Sequence, residues 1–208
     1  MMVAAVCLAA FAALTVDVVC HGAVKRVDEP LGLWLHANVP AWAMLPGATI
    51  SGLGNAGVAA VVVLATAALV VNRRRWKVLA LGAAALAVEL VLINVLKPWL
   101  ALERPDARFT NWVFNYGYTY PSGHTTGAVV VYGILALALT EIWPTRRRLW
   151  WAGAILIWAG VGVALVLVGV HYVTDVLAGW ALGGAIVAGM LAIAARKKAR
   201  GVEAAGLS

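Results

Sequence analysis

The sequence is short of charge, of acidic residues and of cysteine. Only 12% of its 208 residues are charged, and nine Asp and Glu stand against 16 Lys and Arg. A soluble helical protein needs a polar face on every helix, and this chain has too few polar side chains to supply one. Two cysteines exclude a disulfide-built scaffold. Cys7 and Cys20 share one apolar segment and, in a helix, lie roughly 20 Å apart, too far to bond. No internal repeat or low-complexity segment is apparent. The first apolar stretch has neither a basic leader nor a small-x-small cleavage site before His21, so it reads as a retained span. Hydrocarbon fills the chain instead: 63% of residues are hydrophobic and mean hydropathy is +0.91, against roughly 45–50% apolar residues in a soluble domain.

Six apolar segments, at about 2–20, 52–71, 78–96, 123–142, 150–169 and 176–195, approach the ~20 residues that a spanning helix requires. The expected fold is all-α: a polytopic six-transmembrane-helix bundle, one membrane-embedded domain over 1–208. The net charge of +7 does not signal nucleic acid, because the basic residues sit in blocks beside apolar runs, as topology signals do. Arg73, Arg74, Arg75 and Lys77 follow the second segment; Arg146, Arg147 and Arg148 follow the fourth; Arg196, Lys197, Lys198 and Arg200 follow the sixth. The positive-inside rule puts these clusters, and both termini, in the cytoplasm. Residues 21–51, 97–122 and 170–175 then face outward. The first of these, with Pro30, Trp34, Pro40, Trp42 and Pro46, fits either a segment lying along the interface or a plain connection. The second carries Trp112, Phe114, Tyr116, Tyr118 and Tyr120, an aromatic belt or the lining of a lipid entrance.

Three outward blocks hold groups with chemistry. In KPWLALERP, Lys97 and Arg104 are seven residues apart; two cations fit a phosphate, although such residues also snorkel at helix ends. In PSGH, Ser122, Gly123 and His124 open the fourth span, where free N–H groups and the helix dipole favour an anion; an ordinary serine cap would look the same. In HYVTD, His171 and Asp175 share a face if helical, and a carboxylate can fix an imidazole as a nucleophile or base requires. A metal is the lesser reading of that pair, for no third ligand stands out nearby. The topology, drawn from the arginine clusters alone, brings all three blocks to one membrane face.

These blocks resemble the phosphatidic acid phosphatase type 2 superfamily of membrane lipid phosphatases, whose pattern is K-x6-RP, PSGH and SR-x5-H-x3-D, matched from Lys97 to Asp175. The resemblance implies a phosphatase acting without metal or cofactor on a lipid phosphate in the bilayer. His171 would form a phosphohistidine, Asp175 would orient it, and His124 would protonate the leaving oxygen. Lys97, Arg104, Ser122 and Gly123 would hold the phosphoryl oxygens. The substrate would be a polyprenyl diphosphate, phosphatidic acid or phosphatidylglycerol phosphate. One position departs from the pattern: Ala164 and Leu165 stand where it has Ser-Arg. Arg108 is a candidate to replace that charge, and a weakened or inactive lipid-phosphate-binding protein is the alternative function.

Other polar residues carry structural expectations. Glu89 and Asn94 suit hydrogen bonds between spans, Asp17 and His21 an i, i+4 interface pair, and Gly179 with Gly183 a close helix crossing. A transporter fits less well, since no paired broken helices are legible.

Overall fold

The computed structural model describes the backbone of residues 1–105 and 117–206, with side chains as far as Arg196. Eight α-helices run through these residues: α1 Met2–Val19, α2 Lys25–Asn38, α3 Ala41–Ser51, α4 Ala56–Asn72, α5 Trp76–Leu100, α6 Gly123–Ile142, α7 Arg147–Leu167 and α8 Val173–Gly206. Among the described residues there is no strand.

Five spans are long and apolar enough to cross a membrane alone. The sixth is bent. A break at Gly52–Gly54 turns α3 and α4 by 48°, and Asn55 restarts the chain by accepting Gly57 N at 2.8 Å. The expected straight second span over 52–71 is therefore the lower arm of a broken span whose upper arm begins at Ala41. Side chains such as Leu64, Leu156 and Met2 face outward at 70–80% exposure, a surface that suits lipid and not water.

α6 is the central helix. It is 67% buried over its span, against 6% for α1, and it packs against α4, α5, α7 and α8. Its contact with α8 is close because Gly179 and Gly183 present no Cβ. A Cβ on Gly179 would sit 2.9 Å from Thr125 Cβ and 3.0 Å from the Ser122 carbonyl. One on Gly183 would sit 2.7 Å from Val129 Cβ. The glycine pair thus works as its spacing predicts. Glu89 is buried in α5 and lies beside Gly127 of α6. The expected Asp17–His21 pair is replaced by a cap: Asp17 accepts the backbone N–H of Val24 and Lys25, at 3.4 and 2.8 Å, where α2 begins.

Candidate active site

The three blocks converge at one end of the bundle. Lys97 lies in the last turn of α5, which ends at Ala101 in a left-handed conformation (φ 51°). That turn sends the chain across the bundle end, where Thr119 N reaches back to Leu102 O at 2.9 Å. Lys97 Nζ donates to Tyr118 O at 2.6 Å and lies 3.5 Å from Thr119 O. Ser122 caps α6, its Oγ accepting Thr125 N at 3.3 Å and Thr125 Oγ1 at 3.0 Å, which leaves its own proton to give. Ser122 N donates to Asp175 O at 3.1 Å and ties the start of α6 to the start of α8.

Asp175 organises the centre. Its Oδ2 accepts from Tyr172 N at 2.9 Å, from Thr119 Oγ1 in a short bond, and from His171 Nδ1 at 3.1 Å. With its proton on Nδ1, the imidazole carries a lone pair on Nε2. Nε2 is buried and has no hydrogen-bond partner. Burial pushes the His171 pKa down, Asp175 opposes that shift, and Arg104 and Lys97 add to it, so the neutral ring is favoured.

A cavity of about 280 Å³ opens beside this ring, and Arg104, His124 and His171 are among the residues that line it. The two histidine ring centroids are 6.4 Å apart. Arg104 donates Nη1 to Val170 O at 3.3 Å, and its buried Nε has no partner; burial lowers its pKa and Asp175 raises it. Two unpaired buried nitrogens at one cavity form a site for an anion's oxygens and phosphorus. Leu165 is also on the lining, at 3% exposure. Where the resembled pattern has arginine, the cavity has hydrocarbon. Lys97, Ser122 and Gly123 stand behind the lining, with Lys97 Cε 3.7 Å from where a Cβ on Gly123 would be. Among the described residues no cluster of His, Cys, Asp or Glu could hold a metal ion.

Three features escaped the sequence reading. Thr119 bonds Asp175 and lies 3.1 Å from His171 Nδ1, yet it belongs to no recurring spacing. Asp28 of α2 is 3% exposed and accepts Thr174 N at 3.1 Å and Thr174 Oγ1 at 2.5 Å, capping α8 from another helix. Its neighbour Lys25 pairs with it at 3.2 Å and lies 4.0 Å from the Tyr172 ring centroid. The Lys25–Asp28 spacing was the available signal. Third, the α3–α4 bend supplies Ala48, Ser51, Gly52 and Asn55 to the cavity. Arg108 and the aromatic residues Trp112, Phe114 and Tyr116 lie outside the described residues.

The chain is similar to known proteins. Phosphatidylglycerophosphatase B of Bacillus subtilis (strain 168) is 38% identical over 96 residues, covering 45% of this chain and 46% of that protein. Phosphatidylglycerophosphatase B of Escherichia coli (strain K12) is 36% identical over 98 residues, 46% of this chain and 37% of that protein. The chain thus spans about half the length, or less, of the curated relatives it matches. The crystal structure of a transmembrane PAP2 type phosphatidylglycerolphosphate phosphatase from Bacillus subtilis superposes with a TM-score of 0.85 at 26% identity, covering 94% of this chain and 98% of that one. The model of the PAP2 superfamily matches residues 77–199, which hold all three blocks; the chain is a multi-pass membrane protein and belongs to the PAP2 superfamily.

Proposed function

We propose that this chain is an integral membrane lipid phosphatase that transfers phosphate to His171 and then to water. The observation that carries the reading is His171 Nε2, buried and unpartnered beside a cavity shared with Arg104 and His124. In the first step the Nε2 lone pair bonds to phosphorus as the ester P–O bond breaks, and His124 gives a proton to the departing lipid alkoxide. In the second, water attacks the phosphohistidine, His124 takes its proton, and inorganic phosphate leaves. Asp175 holds Nδ1–H throughout and stabilises the positive ring of the phosphohistidine. Arg104 on the lining meets the phosphoryl oxygens, without a metal, while Lys97, behind the lining, adds positive charge and Ser122 with the Gly123 backbone adds donors at the α6 N-terminus.

The names of the relatives make phosphatidylglycerophosphate the leading substrate to test. The whole chain, 1–208, acts in this proposal as one membrane-embedded domain, with its termini in the cytoplasm and its site at the outer face.

The test is phosphate release from lipid phosphates by purified protein in detergent with a chelator present. Wild type should release phosphate; His171→Ala should reduce turnover to background, and His124→Ala should slow it by about 10²–10⁴-fold. A folded wild type that releases nothing would favour the other reading, a lipid-phosphate binder. The observation behind that reading is Leu165 on the cavity lining.

A further inference from the structure

Thr119 takes part in none of the steps above, yet its side chain meets both members of the His171–Asp175 pair. It is 1% exposed, and its Oγ1 donates to Asp175 Oδ2 and lies 3.1 Å from His171 Nδ1. A hydroxyl has one proton and two lone pairs, and an ionised carboxylate only accepts. The proton therefore goes to Asp175, and what the hydroxyl turns to the imidazole is a lone pair. Nδ1 fits that lone pair only when it carries hydrogen. Asp175 Oδ2, 3.1 Å from the same nitrogen, makes the same demand. Two acceptors thus share Nδ1–H, and the free lone pair of the ring is confined to Nε2, the nitrogen without a partner.

The hydroxyl comes to the pair from another part of the chain and is itself held in place. His171 and Tyr172, which also donate to Asp175 Oδ2, belong to the same short segment as Asp175 at the start of α8, so their bonds are local. Thr119 arrives from the connection between α5 and α6. Its N–H donates to Leu102 O at 2.9 Å, while Lys97 Nζ donates to Tyr118 O at 2.6 Å and lies 3.5 Å from Thr119 O. The backbone on either side of the Thr119 side chain is fastened to the end of α5 and the residues just beyond it. None of these bonds involves the pair, so the hydroxyl is set in advance, as a group that fixes another group must be.

Resting on the phosphatase reading above, we infer that Thr119 is a positioning residue, whose hydroxyl fixes the Asp175 carboxylate and with it holds the proton on His171 Nδ1, so that Nε2 keeps the lone pair that meets phosphorus. It acts through Asp175 and His171 and not on the substrate. Its loss is therefore felt in kcat rather than in KM.

The test measures phosphate release in detergent micelles from whichever of phosphatidylglycerophosphate and phosphatidic acid wild type turns over faster. The proteins are wild type, Thr119→Val, Thr119→Ser, Asp175→Asn and the double variant Thr119→Val with Asp175→Asn, each with its thermal unfolding. Val keeps the shape and removes the hydroxyl; Ser keeps the hydroxyl and removes a methyl. Thr119→Val should lower kcat about tenfold or more, the scale of one hydrogen bond to a charged group, with KM nearly unchanged. Thr119→Ser should stay within about threefold of wild type. In the Asp175→Asn background, where no carboxylate is left to fix, Thr119→Val should cost less than about threefold. A packing role gives the opposite pattern: Val active, Ser impaired, and losses that multiply in the double variant. Should Thr119→Val fail to fold, Thr119→Ala takes its place in the same cycle. Wild-type kcat in the folded variant without the hydroxyl, or an equal loss in both backgrounds, overturns the positioning role and leaves the phosphatase intact. A folded wild type that releases phosphate from neither lipid overturns the phosphatase reading and the role of Thr119 with it.

Discussion

His171 does its proposed work as a neutral ring, and its surroundings keep it so. Burial lowers its pKa below the ordinary 6.5, and the Asp175 carboxylate partly restores it. Protonation of Nε2 stops attack, so the acid limb of kcat/KM, which reports the free protein, should lie below the ordinary imidazole value of 6.5. Asp175→Asn removes the charge that raises the pKa; the limb should then move to lower pH. The plateau should drop by about 10²–10⁴-fold as the tautomer and the positive phosphohistidine lose their support. A limb that moves upward in Asp175→Asn would contradict this arrangement. At this scale the sequence was informative because His171 and Asp175, and Ser122 to His124, are local in the chain, and local spacing is what a sequence displays. Thr119 was not legible. It reaches Asp175 across 56 residues, through a turn that no periodicity announces.

Packing between elements decides whether those residues stay in register. Gly179 faces the Ser122 carbonyl, whereas Gly183, one helical turn deeper, faces Val129 and Thr126. Gly179→Ala should push α8 away from the α6 cap, costing about 1–3 kcal/mol and lowering kcat. Gly183→Ala should cost similar stability with less effect on kcat, because its contact is farther from His124. Thermal unfolding in detergent alongside turnover separates the two outcomes; equal losses of kcat at matched stability would remove the distinction. A second prediction concerns α2. Asp28→Ala leaves the buried Thr174 N–H and hydroxyl without their partner, at a cost of about 1–3 kcal/mol, and turnover should fall as the start of α8 loosens. The α6–α8 crossing was legible from two glycines four residues apart. The α2 and α3 helices were not, because Pro30 and Pro46 lie inside them and proline ordinarily argues against a helix interior. Hydropathy likewise begins the second span at residue 52, so the upper arm beyond the bend at Gly52–Gly54 falls in the outer region 21–51.

At the scale of the whole molecule, one arrangement must satisfy both the charge distribution and the site. Lys97 is near the end of α5, Ser122 to His124 at the start of α6, and His171 to Asp175 at the start of α8. The basic clusters sit at the opposite ends of these same helices: Arg73 to Lys77 around the start of α5, Arg146 to Arg148 between the end of α6 and the first turn of α7, and Arg196 at the far end of the apolar run of α8. Six spans, counting the bent α3–α4 pair as one, return the chain to the side on which it began. Cytoplasmic basic clusters then require an outward site. In a protein with Cys7 and Cys20 changed to serine, single substitutions Asn38→Cys and Thr145→Cys place a thiol at exposed positions beyond opposite ends of the bundle. A membrane-impermeant maleimide added to intact cells should label position 38 and leave position 145 unlabelled until the membrane is permeabilised. The reverse pattern would put the cavity in the cytoplasm and require lipid phosphates of the inner leaflet as substrates. Labelling at both positions in intact cells would break the six-span count itself, because one crossing fewer or more is what brings the two loops to the same side.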